Sequence, residues 1–185
     1  MAARGERLEN PVTGERLVWR ATSAETGGTL LAFDFSLRVG GSVPLAHVHP
    51  LQEERFRVLA GRARVRLGGR TVVARPGDEV VVPPGTVHRL WNDGEEELQA
   101  VIEFRPALRL EQFFEQLWGL ARDGRLDKRG LPSPLQLAVM APEYLDEVAL
   151  PVVPVGVQRA ALALVAPLAR ARGYAAFDPA YGPRL

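Results

Sequence analysis

Up to Phe104 the apolar residues of this 185-residue chain recur at every second position; beyond Pro106 they recur at every third and fourth. A period of two lays one face of a strand against a core, and a period near 3.6 does the same for a helix. The chain is therefore divided into a strand-forming part and a helical part. Leu31, Phe33, Phe35, Leu37 and Val39 alternate with Asp34, Ser36 and Arg38. Ala63, Val65 and Leu67 alternate with Arg62, Arg64 and Arg66, and Gly68-Gly69 supplies a two-residue hairpin turn into Thr71-Val72-Val73. Pro76-Gly77-Asp78 is a further turn before a strand from Glu79 to Val82. Asn92-Asp93-Gly94 then leads into a last strand, Leu98 to Phe104. Short strands at this spacing predict an antiparallel barrel or sandwich.

After Pro106, residues Leu110, Phe113, Phe114, Leu117, Trp118 and Ala121 form one broad apolar helix face, with Gly124 placed to end it. Ser133-Pro134 is an N-cap followed by proline at the first helical position, and it opens a second helix running towards Leu150, which Pro142 should kink or split. A third helix is expected from Val157 to Arg172, with Pro167 inside it, followed by an irregular tail from Tyr174. These signals divide the chain into a β domain over 1–106 and a C-terminal helical extension over 107–185.

Composition removes several functions. The chain is 46% apolar, and 23 basic residues balance 22 acidic ones, so neither disorder nor a global nucleic-acid footprint is indicated. Arg55, Arg57, Arg62, Arg64 and Arg66 gather on one outer hairpin face, but with no recognition motif they read as a solvated face paired with Glu53, Glu79 or Glu95-Glu96-Glu97. There is no cysteine, which excludes disulfides, thiolate zinc sites and cysteine nucleophiles. The N-terminus lacks the apolar core of a signal peptide, and the longest apolar run, Ala160 to Leu168, is too short for a bilayer. The expectation is a cytoplasmic protein with no membrane or nucleic-acid partner.

The chain has only three histidines. His47 and His49, two apart, project from the same face of a strand, and His88 follows the Pro83-Pro84-Gly85 turn. Three convergent imidazoles and a carboxylate suit iron, manganese, nickel, copper or zinc. The carboxylate is Glu53 or Glu54. In a strand Glu54 shares its face with Phe56 and Val58, while Glu53 shares its face with Arg55 and Arg57. If the apolar face is interior, Glu54 points in. Gln52 falls on the same face as Glu54, Trp91 falls opposite His88, and Glu103 faces out by the Leu98-Ala100-Ile102-Phe104 pattern.

The segment Gly41 to Gly61, G-S-V-P-L-A-H-V-H-P-L-Q-E-E-R-F-R-V-L-A-G, fits the spacing G-x5-H-x-H-x4-E-x6-G. Gly77 to Asn92, G-D-E-V-V-V-P-P-G-T-V-H-R-L-W-N, fits G-x5-P-x-G-x2-H-x3-N. The ordered pair resembles the two motifs of the cupin superfamily, and the resemblance covers roughly residues 28–104. It implies an all-β jelly-roll barrel of the single-cupin type, with a divalent transition metal held inside by His47, His49, Glu54 and His88. Phe33, Phe35, Phe56 and Leu90 would keep that interior dry.

Three functions are compatible with such a site. The first is a metal-dependent oxidoreductase, dioxygenase-like, acting on a small organic substrate, with Glu54 a ligand and, when displaced, a catalytic base. The second is an isomerase or lyase in which the ion polarises a carbonyl. The third is a small-molecule binding module without chemistry. The Phe113, Phe114, Leu117, Trp118 stripe must be covered by the barrel or by a second copy, and a homodimer is expected.

Overall fold

The computed structural model describes residues 2–182 and 184. Nine antiparallel strands come first: β1 (Arg7–Asn10), β2 (Glu15–Ala21), β3 (Leu31–Leu37), β4 (Glu53–Ala60), β5 (Ala63–Leu67), β6 (Arg70–Ala74), β7 (Glu79–Val82), β8 (His88–Asn92) and β9 (Leu98–Arg105). They form a six-stranded sheet in the order β1-β2-β3-β9-β4-β7 and a three-stranded sheet in the order β6-β5-β8. The stretch 42–48 joins the smaller sheet through bridges from Ser42 to Trp91 and from His47 to His88. This is a jelly-roll sandwich with C-terminal helices. The helices are α1 (Leu110–Arg122), α2 (Pro134–Met140) and α3 (Val155–Ala171), with a single 3₁₀ turn, Ala141–Glu143, after α2.

The alternation read from the sequence sets the inner face. Leu31, Phe33, Phe35 and Leu37 of β3 are buried, and across the register they meet Phe104, Ile102, Ala100 and Leu98 of β9. β2 extends the same face with Glu15, Leu17 and Trp19. Trp19 and Phe33 pack edge to face at 5.5 Å, and Phe33 meets Phe114 of α1 at 5.5 Å, so α1 shares the barrel's core. Of the stripe, Trp118 is buried within the chain, and Phe113, Phe114 and Leu117 are partly buried against the same core. The other side of α1 is covered too. Gln116 exchanges hydrogen bonds with the main chain of Asp178, and Tyr181 lies on Gly119, where any β-carbon would sit 2.2 Å from the ring.

Several boundaries differ from the sequence reading. Val39 lies beyond β3 and is 53% exposed, because the chain turns at Val39 and Gly40 instead of continuing the strand. The second helix stops at Met140 and not near Leu150. Pro142 falls in the 3₁₀ turn, and the chain from Val148 to Ala149 is drawn back to bridge Val48. The third helix begins at Val155 and runs through Pro167 to Ala171. α2 and α3 pack through Ala138, Val139, Ala166 and Ala169. The outer arginines do not share one hairpin face: Arg55 and Arg57 lie on β4 of the larger sheet and Arg64 and Arg66 on β5 of the smaller one. Arg55 bonds Glu53 and Glu79, and Arg64 approaches Asp93 at 3.5 Å. Trp91 lies between Arg64 and Arg89 on the outer face of the smaller sheet, and Glu103 faces outward from the larger sheet, beside Arg105.

Two motif glycines do different work. Gly61 has φ 77° and lies so close to β9 that a β-carbon would be 2.8 Å from the Glu97 carbonyl oxygen. Gly77 has φ 94° but open space around it. Gly77→Ala should therefore cost only backbone strain, about 1–2 kcal/mol. Gly61→Ala adds a backbone clash and should cost at least about 3 kcal/mol by the same strain plus overpacking. Denaturant unfolding of the two variants checks the order.

Candidate metal centre

The four residues singled out in the sequence converge at one end of the barrel interior. His47 and His88 face each other across a doubly hydrogen-bonded bridge, His47 N to His88 O at 3.1 Å and His88 N to His47 O at 3.0 Å. His49 is two residues further along, and its carbonyl accepts from Gly85 N at 2.8 Å, so the Pro83-Pro84-Gly85 turn closes over it. Glu54, the second residue of β4, sits opposite Phe104 and Val82 with its side chain buried, while Glu53 beside it turns outward to Arg55. The alternation argument chose the correct carboxylate for the inner face.

Ring orientation follows from the other nitrogen. His47 Nδ1 lies 2.9 Å from the Leu45 carbonyl oxygen, His88 Nδ1 lies 3.0 Å from that of Thr86, and His49 Nδ1 lies 2.6 Å from that of Glu147. A carbonyl oxygen only accepts, so each ring carries its proton on Nδ1 and leaves a lone pair on Nε2. Nε2 of His49 and Nε2 of His88 are buried without a hydrogen-bond donor, as is Oε2 of Glu54. Oε2 stands 2.8 Å from His88 Nε2 and 3.6 Å from His49 Nε2. Lone pairs at these distances repel unless a proton or a cation lies between them. Ring nitrogens of His47, His49 and His88 come within 4.8 Å of one another, and the three could hold a metal ion. Neutral imidazoles fixed by second hydrogen bonds are the form that coordinates, so the donor set fits a divalent transition metal.

The electrostatics agree. Burial pushes the His47 imidazole down to about 3, with the neighbouring His88 adding to the effect. Burial also holds His49 well below its ordinary range, helped by His47 and His88. Burial alone would lower His88 as well, but the charge of Glu54 and the hydrogen bond it would accept from a protonated Nε2 outweigh it and carry His88 above its ordinary value. Of the three imidazoles His88 is therefore the one that most readily takes up a second proton, on the nitrogen that faces Glu54 Oε2 at 2.8 Å.

The centre forms part of the wall of a cavity of about 320 Å³. Its walls are mostly apolar: Leu17, Phe33, Phe35, Phe56, Leu90, Ile102 and Phe104 from the barrel, and Phe113, Leu117, Met140, Tyr144 and Leu162 from the helical part. That contribution of the helices was not legible in the sequence. Nor was the hold that Glu147 has on the site. Its carbonyl orients His49, while its buried carboxylate accepts from the Arg109 backbone N–H at 3.1 Å, at the start of α1. Any residue type supplies a main-chain carbonyl, so no sequence pattern could mark it. Gln52 proves to be structural: its Nε2 donates to the carbonyls of Pro106 and Ala107 at 2.9 Å each, tying the barrel to the helical part. Asn92 is likewise a brace, donating to Leu37 and Glu96 carbonyls and accepting from Gly94 N.

Comparison with known proteins agrees with this architecture. Residues 33–103 match the family model described as a cupin domain. A protein named an oxidoreductase from Arthrobotrys oligospora is 32% identical over 96 residues, 48% of this chain, which spans only 38% of that relative's length. A predicted oxalate decarboxylase from Thermotoga maritima superposes with a TM-score of 0.50 at 21% identity, over 57% of this chain and 99% of that one. An RmlC-like cupin from Shewanella frigidimarina gives 0.49 at 20% identity, over 56% and 86%. The fold and the paired motifs define a double-layered β protein with a buried histidine cluster. Over residues 33–103 the chain is similar to the cupin domain, and the match lies wholly within the barrel.

Two measurements probe the centre. Glu54→Ala should lower metal affinity beyond the roughly 10–100-fold that loss of a supporting hydrogen bond costs, and Glu53→Ala should leave it nearly unchanged; metal analysis after dialysis against a weak chelator separates them. The pH dependence should also be shallow. Because His88 is shifted up while His47 and His49 are shifted down, lowering the pH adds one competing proton before any second one. The logarithm of metal affinity should therefore fall with a slope of about one per pH unit below neutrality, not three. Metal titrations between pH 5 and pH 8 would read that slope, and a value near three would show the imidazoles titrating independently.

Proposed function

We propose that the protein is a metal-dependent oxidoreductase, dioxygenase-like, that acts on a small and largely apolar organic substrate inside the barrel. The observation that carries this reading is a set of three Nε2 lone pairs and one carboxylate oxygen turned toward one another on the wall of an apolar cavity of about 320 Å³. His47, His49, Glu54 and His88 would hold the ion. A redox-active divalent ion bound there supplies Lewis acidity and one-electron chemistry, with dioxygen as the oxidant.

The chain's own residues do the rest. The main-chain carbonyls of Leu45, Glu147 and Thr86 keep the three rings in the coordinating tautomer. Phe33, Phe56 and Phe104 exclude water and lower the local dielectric, which strengthens every charge interaction at the centre. Glu54 and His88 are the pair positioned to hold and return a proton at Oε2. The cavity is of the size that encloses a small organic molecule. The partial relative from Arthrobotrys oligospora, named an oxidoreductase, supports the same class.

Protein reconstituted separately with iron, manganese, nickel, copper and zinc should consume oxygen with an apolar substrate from a screened set in at least one redox-active form, and not with zinc. His49→Ala should reduce the rate to background. Tight binding of a metabolite with no oxygen uptake in any metal form would replace this reading by a binding module.

A further inference from the structure

A second polar point lies in the cavity, away from the metal-binding end. Along β3 the Leu31 position pairs through Phe104 with Glu54, whereas the Leu37 position at the other end of the strand pairs with Glu15 of β2. Six residue steps separate the two rows, about 20 Å along the strand. Glu15 follows the inward alternation of β2, is 6% exposed, and lines the same cavity as the histidines. Its cross-strand neighbour Asn10, 2% exposed, lines the cavity as well.

Neither side chain is used up by the fold. Among the described residues the Glu15 carboxyl receives one hydrogen bond, from Thr13 Oγ1 to Oε2 at 2.6 Å, and no cation stands within ion-pair distance. Asn10 spends its Oδ1 on the main-chain N–H groups of Val12 and Thr13, at 3.0 and 3.3 Å, while its Nδ2 has no partner among the described residues. A buried carboxyl in an apolar wall is destabilising unless something compensates it. The other polar side chains of the wall outside the metal centre do not supply this. The Gln158 amide is committed to the main chain of Leu150 and Val153, and Tyr144 packs edge-on against Phe113.

We propose that Glu15 and Asn10 form the specificity point of the cavity and bind a hydroxyl group at the end of the ligand remote from the metal. A hydroxyl can donate to the Glu15 carboxyl and accept from Asn10 Nδ2 at once; an ammonium group could only donate and would be opposed by that amide. Burial, partly offset by the Thr13 hydrogen bond, lifts the Glu15 carboxyl to about 7, so a neutral partner suits it better than a charged one. The proposal rests on the reading that the cavity holds a small organic molecule at a metal.

Zinc-loaded protein and calorimetry test it, with ω-hydroxy acids of six, eight and ten carbons against the unsubstituted acids. The carboxylate of each acid addresses the metal and the chain addresses the apolar wall. At the chain length that spans the cavity, the hydroxy acid should bind about tenfold tighter than its parent. Glu15→Leu should abolish that preference and Glu15→Gln should retain most of it, since the amide can still bond a hydroxyl. If Glu15→Leu does not fold, the Glu15 carboxyl carbon signal in the wild-type NMR spectrum serves instead: it should move with the hydroxy acid and not with the parent. Equal binding of both series at every length, or a preference that survives Glu15→Leu, would overturn the role of Glu15 and leave the cavity reading intact. Binding of neither series would remove the cavity reading and this proposal together.

Discussion

Each histidine ring of the centre gives its Nδ1 proton to a main-chain carbonyl, and that commitment decides where the other nitrogen points. An imidazole in an apolar interior can satisfy only one nitrogen through its own proton; the second must accept from a donor or meet a cation. With Leu45, Thr86 and Glu147 taking the protons, Nε2 of every ring is left for a common centre, and Glu54 is buried beside it. The surrounding aromatic wall makes the arrangement consequential. In water these lone pairs would be solvated, whereas in this cavity their interactions are strong and costly to leave unmet.

The same requirement ties the C-terminal part to the barrel. Only one of the three carbonyls comes from outside the barrel, that of Glu147, and its residue also anchors the start of α1 through Arg109. Val48 and Ala149 complete the link with a two-way main-chain bridge. The helical part therefore has two roles at once: it covers the apolar mouth of the barrel with Phe113, Phe114 and Leu117, and it sets one imidazole of the centre. Gln52, buried and bonded to Pro106 and Ala107, holds the junction between the two parts.

Much of this was legible from spacing. Alternation placed Phe33, Phe35, Phe56 and Ile102 on the inner face and chose Glu54 over Glu53, because a one-residue change in register moves a side chain from core to solvent. The helix stripe and the Ser133 cap were also readable, since both depend on local geometry. Less was readable where distant segments decide. Val39 continues the apolar pattern, yet it lies in the turn that ends the strand. The second helix ended at Met140 because Val148 and Ala149 are held against Val48 at a separation of a hundred residues. The alternation of Glu15, Leu17 and Trp19 carries the signal for the inward carboxyl of Glu15, because a strand there puts all three on the apolar face.

The sequence by itself determined the residue chemistry: three histidines and one inward carboxylate at spacings that suit a metal, on strands whose period sends them inside. It determined as well that the chain changes from strand to helix near Pro106, since periodicity and proline act over a few residues. Only the tertiary structure decided which carbonyls orient the rings, that helices close the cavity over the centre, and that Glu15 and Asn10 share that cavity from its other end. Those outcomes depend on backbone groups common to every residue and on contacts between segments far apart in the chain. Neither leaves a local pattern in the order of side chains.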